Sequence, residues 1–545
     1  MQETAIDKDW WRGAVIYQIY PRSYQDSNGD GIGDLKGITS RLPYIASLGA
    51  DAIWISPFFT SPMDDFGYDV SDYCDVDPMF GSLGDFDELV KVAHDLNVKV
   101  MIDLVLSHTS NQHEWFKQSR SSRDGEKSDW YVWADAKPDG SPPNNWISIF
   151  GGAAWEWDSH RRQYYMHNFL ASQPDLNFHN MDVQDALLDA TRFWLDRGVD
   201  GFRLDTINFY VHSQSLKDNP PLPPERRKFN TAPAANPYGY QSHVYDKSQP
   251  ENLAFLKRFR SLLDEYPAAA AVGEVGDEER GLEIVADYTS GGDKVHMCYG
   301  FDFLGETVPS PAFVHQVFGD LIKASPDSWP CWAFSNHDVP RYASRWPVSP
   351  DLQDAANRVR IALLLSMRGS VCLYQGEELG LEEADVAYED LQDPYGIRFW
   401  PDFKGRDGCR TPMVWDESNE NAGFSSGKPW LPVAEPHKAK AVSILDKDDG
   451  SLLHHYQRLL AFRKAHPSLV KGDLHFVKTD GDVLSFVRQL GDDHVFCAFN
   501  LVGEDRDMPF DSINVAPIDG HGFASTIEDG KLKLPAYGAF FGVME

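Results

Sequence analysis

The sequence contains few basic residues, no basic run and no long apolar run. Its 545 residues include 83 acidic and 50 basic side chains, which gives a net charge of −33. Nucleic acids and anionic membranes attract clustered Lys and Arg, so this balance argues against both as partners. No window of the sequence approaches the roughly 20 apolar residues that a membrane helix needs. We interpret the negative charge as a solubility feature.

The cysteines are also few, and they follow no pattern. Their spacing matches neither a metal site nor a disulfide framework, so we expect reduced thiols at Cys74, Cys298, Cys331, Cys372, Cys409 and Cys497. The first residues, MQETAIDKDWWRGAV, lack the basic stretch followed by an apolar stretch that marks a secretory signal. These features predict a cytoplasmic protein.

Short apolar runs rich in β-forming residues recur along the chain. A chain of this length is expected to form several domains. Helical patterns lie between several of the runs, at 87–96 and 183–198, and this alternation indicates parallel βαβ units. With a weaker candidate at 294–303, the runs supply the strands of a closed (β/α)8 TIM barrel, an α/β fold. They cover residues 14–20, 51–56, 98–106, 201–205, 271–275, 294–303, 332–335 and 371–375.

Polar residues mark the ends of the predicted helices. The helix at 183–198 has Asp182 as its predicted N-cap and Gly198 as its end. The run LLHHYQRLLAFRKAH, residues 452–466, repeats its apolar positions at the helical period and is expected to complete the barrel.

The runs that follow it, LHFVKT, VLSFVRQ and HVFCAFNL, are strand-like and separated by Gly and Asp turns, which is typical of an antiparallel sheet.

Long irregular segments follow three of the predicted strands. The segment after the third strand is rich in Trp, Gly, Pro and Asn and is too long for an ordinary loop. The stretches at 219–240 and from about 376 to 436 also follow strands, so all three lie at the face where barrel active sites are found. We predict a catalytic barrel at 1–106 and 180–468, an inserted domain at 107–179 and a C-terminal β-sandwich domain at 469–545.

The segment GFRLDTIN, residues 201–208, carries a charged stripe within an apolar strand. Alternation on a strand places Phe202, Leu204 and Thr206 on one side and Arg203 and Asp205 on the other. Buried ion pairs often fail to repay their desolvation cost. Taken alone, the stripe is compatible with a structural ion pair or with a functional site.

Polar side chains also follow other predicted strands. In a barrel these ends converge, so several carboxylates would share one pocket. Close carboxylates push their pKa values apart, and one of them can stay protonated near neutral pH. Two carboxylates with separate roles are what glycoside hydrolysis uses. The residues concerned are Asp103, His108, Arg203, Asp205, Glu274, His337 and Asp338.

Six short motifs occur in an order that is specific to one protein family. They read DFGYDVSDY, DLVLSH, QPDLN, GFRLDTIN, GEV and SNHD, and they begin at residues 65, 103, 173, 201, 273 and 335. Through these motifs, nearly the whole chain resembles glycoside hydrolase family 13, the α-amylase family, and its α-glucosidase and oligo-1,6-glucosidase branch. Ser107 departs from the asparagine that commonly precedes the histidine of the DLVLSH motif.

The resemblance implies a retaining enzyme in which Asp205 is the nucleophile, Glu274 the acid/base and Asp338 the stabiliser of the transition state. A cation beside Asp205 keeps it ionised and orients it, which gives Arg203 a function. A single buried histidine more often belongs to a protein core. The positions of His108 and His337 within the motifs instead favour contact with a sugar. The substrate-binding residues implied are Asp65, Tyr68, His108, Phe150, Phe169, Arg203, Thr206, His337 and Arg406.

The stretch DSNGDGIGD, residues 26–34, places oxygen atoms at alternating positions, with glycines for a tight turn. It is not an EF-hand, because Gly37 occupies the twelfth position in place of glutamate, and a solvated acidic turn would have the same sequence. The family resemblance favours a structural Ca²⁺ or Mg²⁺ and no organic cofactor. The implied ligands are Asp26, Asn28, Asp30, the Ile32 carbonyl and Asp34.

The resemblance implies an α-glucosidase that releases glucose from the non-reducing end of short α-glucosides and also transfers it to acceptors. Thr206 directly follows the nucleophile. Family enzymes that cleave α-1,6 links tend to have valine there, and those that prefer α-1,4 links have alanine or threonine. Links of the maltose type are therefore expected. The partner would be a small oligosaccharide, and the protein a monomer or homodimer.

Other activities share much of this pattern. An oligo-1,6-glucosidase, a trehalose synthase or a sucrose-active transglycosidase would keep the same three carboxylates. An endo-acting amylase is less compatible, because DFGYD and GRDGCRTPM resemble motifs of exo-acting enzymes with a closed pocket. Transporter-associated scaffold proteins of this fold lack the full catalytic set and carry a membrane anchor, whereas this sequence has all three carboxylates and no anchor-like run.

Overall fold

The computed structural model of the protein describes residues 7–227, 232–477, 481–510 and 515–544. Within these ranges, no helix is long and apolar enough to cross a membrane. The irregular stretch at 219–240 and the strand-like run at 474–479 extend beyond the described residues at 228–231 and 478–479.

Eight parallel strands form a barrel whose sequence neighbours are also neighbours in space. The first strand pairs with the second and with the eighth, and the sixth is joined to the seventh by a bridge between Cys298 and Pro330. The predicted barrel is confirmed, including its weaker sixth strand. The strands are Val15–Ile19, Ala52–Ile55, Lys99–Leu104, Gly201–Leu204, Ala270–Val275, Met297–Gly300, Cys331–Trp332 and Ser370–Tyr374.

Both faces of these strands are buried. In the second strand, Ile53 and Ile55 pack outward against helix residues such as Leu42, whereas Ala52 and Trp54 fill the barrel interior. A strand with two apolar faces has no polar alternation. This explains why the barrel strands read as continuous apolar runs.

Polar caps fix where the surrounding helices begin. The side chain of Ser82 caps Leu83–Asp95 in a capping box with Asp85. The predicted helix near 183 runs over Met181–Asp196, and the prediction of Asp182 as its N-cap is wrong, because the Asn180 side chain accepts the N–H of Asp182. Further α-helices are Leu35–Leu48, Glu114–Ser121, Asn252–Leu263, Gly281–Thr289, Pro311–Ala324, Tyr342–Arg345, Gln353–Ser366, Pro394–Phe399, Glu435–Lys438, Val442–Leu445, Leu452–Ala465 and Pro467–Lys471.

Small sheets follow the second and third barrel strands. Phe59–Thr60 pairs with Asp72–Val76, and a three-stranded antiparallel sheet is formed by Trp133–Ala134, Gln163–Met166 and Trp155–Asp158. Because these segments leave the carboxyl ends of barrel strands, they stand at the face where the polar residues collect.

Two antiparallel sheets form the C-terminal region, as the strand-like runs predict. An apolar cluster that includes Val483, Phe496 and Leu532 packs between them. The five-stranded sheet contains Asp473–Phe476, Val483–Leu490, Asp493–Asn500, Ala539–Met544 and Val515–Pro517, and the three-stranded sheet contains Arg506–Pro509, Lys531–Leu534 and Thr526–Glu528.

Candidate active site

Arg203 is the centre of the polar cluster at the carboxyl ends of the strands. Its side chain is fully buried and forms ion pairs with Asp103 at 2.9 Å, Asp205 at 2.6 Å and Glu274 at 2.7 Å. Its Nε and Nη2 also donate to the Tyr299 hydroxyl at 3.1 and 2.9 Å. One guanidinium therefore fixes carboxylates from the third, fourth and fifth strands, which is possible because its planar fork has five donors.

The carboxyl groups of Asp205 and Glu274 both have raised pKa values. Burial raises the pKa of each to about 7, and Arg203 acts against the rise. The negative charges of Asp103 and Asp338 add to the rise for Asp205, and those of Asp205 and Asp338 add to it for Glu274. Glu274 accepts the Thr206 N–H at 3.1 Å and the Tyr299 hydroxyl at 3.1 Å. When two nearby carboxyl groups both have raised pKa values, one can hold a proton while the other is ionised. The pair can therefore supply one acid and one ionised carboxylate.

Asp338 has the opposite electrostatic setting. Burial alone would raise its pKa, but the neighbouring His337 and the positive charges of Arg406 and Arg410 hold the pKa well below its ordinary value. The contacts are 3.2 Å from His337, 3.1 Å from Arg406 and 3.0 Å from Arg410. Asp338 is thus a fixed negative charge beside the Asp205 and Glu274 pair.

The two predicted histidines are neutral parts of the pocket framework. Burial lowers the pKa of His108 to about 4 and that of His337 well below its ordinary value. His337 Nδ1 accepts from Gln18 at 2.7 Å, so its Nε2–H is available to the Tyr68 hydroxyl at 2.5 Å. Tyr68 in turn donates to Asp103 at 3.0 Å. This chain links the seventh strand to the third.

Arg406 and Asp65 form the side of the site opposite the Arg203 cluster. Arg406 Nη2 contacts Asp65 at 2.9 Å and Asp393 at 2.9 Å, and Nη1 contacts Asp338 at 3.1 Å. Burial raises the pKa of Asp65, against the effect of Arg406. Gln173, in the QPDLN motif, donates to the second Asp65 oxygen at 3.1 Å. These groups present fixed donors and acceptors of the kind that orient sugar hydroxyls.

Aromatic rings form one wall. Phe150 and Phe169 are buried, with ring centroids 5.9 Å apart, and both belong to a cluster with Phe209 and Tyr395. Phe169 also lies 5.1 Å from the His108 ring. Rings next to carboxylates are suited to a sugar, which has apolar C–H faces and a polar rim.

These residues surround an open cavity of about 820 Å³. Ten of the twelve predicted catalytic and substrate-binding residues line it. Arg203 and His337 do not, because both are fully buried behind the carboxylates that they contact. The lining residues among the predicted set are Asp65, Tyr68, His108, Phe150, Phe169, Asp205, Thr206, Glu274, Asp338 and Arg406.

Thr206 does not follow the strand alternation expected for it. The strand ends at Leu204, and Thr206 has left-handed backbone angles, φ 41° and ψ 48°. Its hydroxyl consequently points back to Asp205, with Oγ1 3.2 Å from Oδ2. Strand alternation alone, which would aim Thr206 away from Asp205, therefore does not hold here, because the chain has left the sheet, and the side chain lines the cavity instead.

Several residues of the site were not predicted from the sequence. Asp393, Arg410 and Tyr299 contact predicted residues directly. Arg410 lies within the GRDGCRTPM motif and Tyr299 in the weak sixth strand, so a sequence signal marks both segments although not the individual residues. Asp393 lies in the long irregular stretch after the eighth strand, where no periodicity or motif marks it.

The DSNGDGIGD loop has the donor chemistry of a site for a hard cation. The same hydrogen-bonded turn occurs three times along the loop. In each, a side-chain oxygen accepts the backbone N–H two residues ahead at 2.8 to 2.9 Å, and the acceptors are Asp26, Asn28 and Asp30. Burial would raise the pKa of Asp26, but hydrogen bonds from Ser425 and from the loop backbone outweigh it and lower the pKa. Asp34 caps the next helix through Gly37.

Oxygen ligands of this kind suit Ca²⁺ or Mg²⁺. Across the described residues, no three His, Cys, Asp or Glu side chains converge as a metal ion requires. A cation here would therefore depend on the Asn28 amide and the Ile32 carbonyl as much as on carboxylates.

A family model described as the alpha-amylase catalytic domain matches residues 18–472. The chain belongs to the α-amylase family. Within this family, a probable alpha-glucosidase of Rhizobium meliloti (strain 1021) is 65% identical over 535 residues, covering 98% of this chain and 97% of that protein. An oligo-1,6-glucosidase of Heyndrickxia coagulans is 36% identical over 530 residues, covering 90% and 92% of the two chains.

A solved structure is also similar to this chain in fold. It is described as the alpha-glucosyl transfer enzyme XgtA, and it superimposes with a TM-score of 0.95 and 54% identity over 98% of this chain and 99% of the other. Together these likenesses confirm the family and the enzyme class, a glycoside hydrolase of the α-glucosidase type, that the motifs predict.

Proposed function

We propose that this member of the α-amylase family is a retaining α-glucosidase that removes glucose from the non-reducing end of short α-glucosides, with α-1,4 links preferred. The observation that carries the proposal is the carboxylate arrangement around Arg203. Arg203 holds Asp205 at 2.6 Å and Glu274 at 2.7 Å, and both line one cavity with Asp338, which contacts Arg406 and Arg410. Burial raises the pKa of Asp205 and of Glu274, whereas the nearby cations hold the pKa of Asp338 low. Retaining glycosidases need one nucleophile and one acid, and a positive transition state needs a nearby anion.

The first chemical step forms a glucosyl-enzyme. Asp205 attacks the anomeric carbon while Glu274 gives its proton to the departing oxygen. Arg203 holds one Asp205 oxygen at 2.6 Å, which orients the carboxylate and favours its ionised form. The negative charge of Asp338 stabilises the oxocarbenium character that develops at the sugar.

The second step releases the glucose. Glu274, now ionised, removes a proton from water, the water oxygen bonds to the anomeric carbon, and the bond to Asp205 breaks. A sugar hydroxyl in place of water gives transglucosylation by the same step. The likeness to a glucosyl transfer enzyme supports transfer as a second activity of this site.

The decisive experiment is a time course of products from maltose, isomaltose, sucrose, trehalose and starch. An α-glucosidase releases glucose from maltose early and attacks starch slowly, because an exo-acting enzyme removes single glucose units from chain ends. Formation of trehalose from maltose would instead favour an isomerase, and rapid cleavage of internal starch links would favour an amylase.

Maltose is expected to be cleaved faster than isomaltose, and Thr206→Val to shift the ratio of the two kcat/KM values toward isomaltose. Valine and threonine have nearly the same size, so the change acts through polarity at the pocket wall, an effect worth about 1–3 kcal/mol in discrimination. Initial rates on both disaccharides measure the ratio. Thr206→Ser keeps the hydroxyl and is the matched control. A wild-type preference for isomaltose of about tenfold or more would contradict the α-1,4 assignment.

We propose further that the loop at residues 26–34 binds a structural Ca²⁺ or Mg²⁺ through Asp26, Asn28, Asp30, the Ile32 carbonyl and Asp34. The cation would stabilise the loop and take no part in the chemistry. Exhaustive chelation is expected to lower the melting temperature, since a ligand bound by the native state alone stabilises it by mass action.

Asp30 is exposed and accepts one backbone N–H, so Asp30→Ala removes a ligand with little other damage. The melting temperature of this variant should not respond to the chelator. Elemental analysis gives an independent reading. An unchanged wild-type melting temperature together with no bound metal would show that the loop is a solvated turn.

A further inference from the structure

The Thr206 hydroxyl has two acceptors but a single proton. Thr206 Oγ1 lies 3.2 Å from Asp205 Oδ2 and 3.1 Å from Ser107 Oγ. A hydroxyl donates one hydrogen bond at a time. Which acceptor receives the proton depends on the charge of Asp205 and on whether Ser107 has a proton of its own to offer.

The neighbouring hydrogen bonds fix the direction in which Ser107 donates. His108 Nε2 lies 2.9 Å from the Tyr68 carbonyl, which can only accept, so Nε2 carries the proton of this neutral imidazole. His108 Nδ1 must then accept from the Ser107 hydroxyl at 2.8 Å. Gln173, 3.3 Å from Nε2, uses its protons on Asp65 and the Tyr68 carbonyl. Ser107 Oγ is therefore left as an acceptor toward Thr206.

We propose that the Thr206 hydroxyl is a positioning group whose proton follows the charge of the nucleophile. In the free enzyme it donates to the ionised Asp205 Oδ2, the oxygen that Arg203 does not hold. When Oδ2 bonds to the anomeric carbon, the carboxylate becomes an ester and a poor acceptor, and the proton turns to Ser107. This inference rests on the proposed function, because it assigns a step of that reaction.

The proton movement is coupled to bond making and breaking. In the first step, Oδ2 bonds to the anomeric carbon, and the bond to the leaving group breaks as Glu274 gives its proton to the departing oxygen. The Thr206 hydroxyl keeps its proton and turns its hydrogen bond from Oδ2 to Ser107. In the second step, a water oxygen bonds to the anomeric carbon and its proton passes to Glu274. The electron pair of the broken ester bond then returns to Oδ2, and Thr206 again donates to it.

The backbone of Thr206 supports a functional reason for this geometry. A β-branched residue rarely adopts left-handed angles such as φ 41° and ψ 48°, and such strain clusters at active sites. The same turn directs the Thr206 N–H to Glu274 at 3.1 Å. One residue thereby contacts both carboxylates that the reaction uses.

The sign of the expected effect separates this role from a structural one. The hydrogen bond from the Thr206 hydroxyl stabilises the ionised Asp205 carboxylate. It therefore favours the second step, in which this carboxylate is the leaving group, and opposes the first step, in which it is the nucleophile. Loss of the hydroxyl should therefore slow the second step and leave the first step unchanged or faster. A nucleophile that is merely misplaced would slow both.

The two steps can be measured separately with 5-fluoro-α-glucosyl fluoride. Its ring fluorine slows both steps and its fluoride departs readily, so the glucosyl-enzyme accumulates. The rate of inactivation reports the first step, and the return of activity after removal of the reagent reports the second. For Thr206→Val we expect reactivation roughly tenfold slower than wild type, from the loss of a hydrogen bond to a charged group, with inactivation no slower.

Three further variants complete the test. Thr206→Ser keeps the hydroxyl and should restore reactivation. Thr191→Val makes the same change at a buried helix position whose hydroxyl bonds to the Leu187 carbonyl, and it should change neither rate. Ser107→Ala removes the acceptor of the esterified state, so its reactivation should be at least as fast as that of wild type.

The outcomes distinguish this inference from the proposed function. Equal slowing of both steps in Thr206→Val, failure of Thr206→Ser to restore reactivation, or slower reactivation in Ser107→Ala would overturn the inference while the α-glucosidase activity stands. If wild-type protein neither cleaves maltose nor is inactivated by the reagent, the proposed function itself is wrong.

Discussion

Replacement of Asp205 by asparagine is expected to abolish nearly all turnover while leaving the fold intact. The amide has the shape of the carboxylate but cannot form the ester on which the reaction depends, so we expect a loss of at least about a thousandfold in kcat, with each factor of ten worth about 1.4 kcal/mol. Retention of one tenth of the wild-type kcat would remove Asp205 from this role. The rates should be measured on maltose and on 4-nitrophenyl α-glucoside.

The second substrate separates the nucleophile from the acid. Nitrophenol departs without a proton, so Glu274→Gln should lose more activity on maltose than on the nitrophenyl substrate, whereas Asp205→Asn should lose activity on both. Asp200→Asn is the matched control. Asp200 directly precedes the fourth strand, at the opposite end from Asp205, where it contacts His94 at 2.6 Å and Lys99 at 2.8 Å. Residues at that face of a barrel serve stability.

The barrel and the convergence of its carboxylates were predictable because few alternatives satisfy the pattern. Runs that are apolar on both faces and alternate with helices allow little but a parallel sheet covered by helices. Once the strands are parallel, Asp205 and Glu274 must meet at one face although Glu274 follows Asp205 by 69 positions in the chain. The strand alternation also placed Arg203 and Asp205 together, and the structure shows them 2.6 Å apart.

The errors arose where distant contacts decide local structure. Asp182 is a good N-cap residue by type, but Asn180 caps the helix, because cap choice depends on where the chain turns before the helix begins. Strand alternation predicts the direction of Thr206 only while the chain stays in the sheet, and here the Thr206 N–H instead donates to Glu274, on another strand. A pattern within one segment contains no information about such a partner.

Asp393 shows the same limit for the site itself. It binds Arg406 at 2.9 Å and holds it against Asp65 and Asp338, yet it lies in a long irregular stretch with no periodic signal. Its burial is complete, and the attraction of Arg406 keeps its pKa low in spite of that burial. Only the folded contacts reveal that Arg406 needs a permanently ionised partner.

Loss of the Arg203 charge is expected to affect both stability and the pH dependence of activity. In Arg203→Met, Asp103, Asp205 and Glu274 lose their shared cation in a buried site, and breaking such a network costs about 3–5 kcal/mol of the free energy of unfolding. Arg203 at present opposes the rise in the pKa of Asp205 that burial causes. Without it the pKa of Asp205 moves further up, so the nucleophile is ionised only at higher pH.

The acidic limb of the kcat/KM profile of Arg203→Met should therefore move to higher pH, in addition to a large fall in its maximum. Arg203→Lys keeps the charge but loses the planar fork, so its limb should move less while its maximum still falls. Arg488→Met is the matched control. Arg488 is equally buried, but its partners are backbone carbonyls, among them those of Ser366 and Gly472 at 2.7 and 2.8 Å. That variant should lose stability without moving the limb. An acidic limb of Arg203→Met at or below the wild-type position would show that Arg203 does not set the charge of the nucleophile.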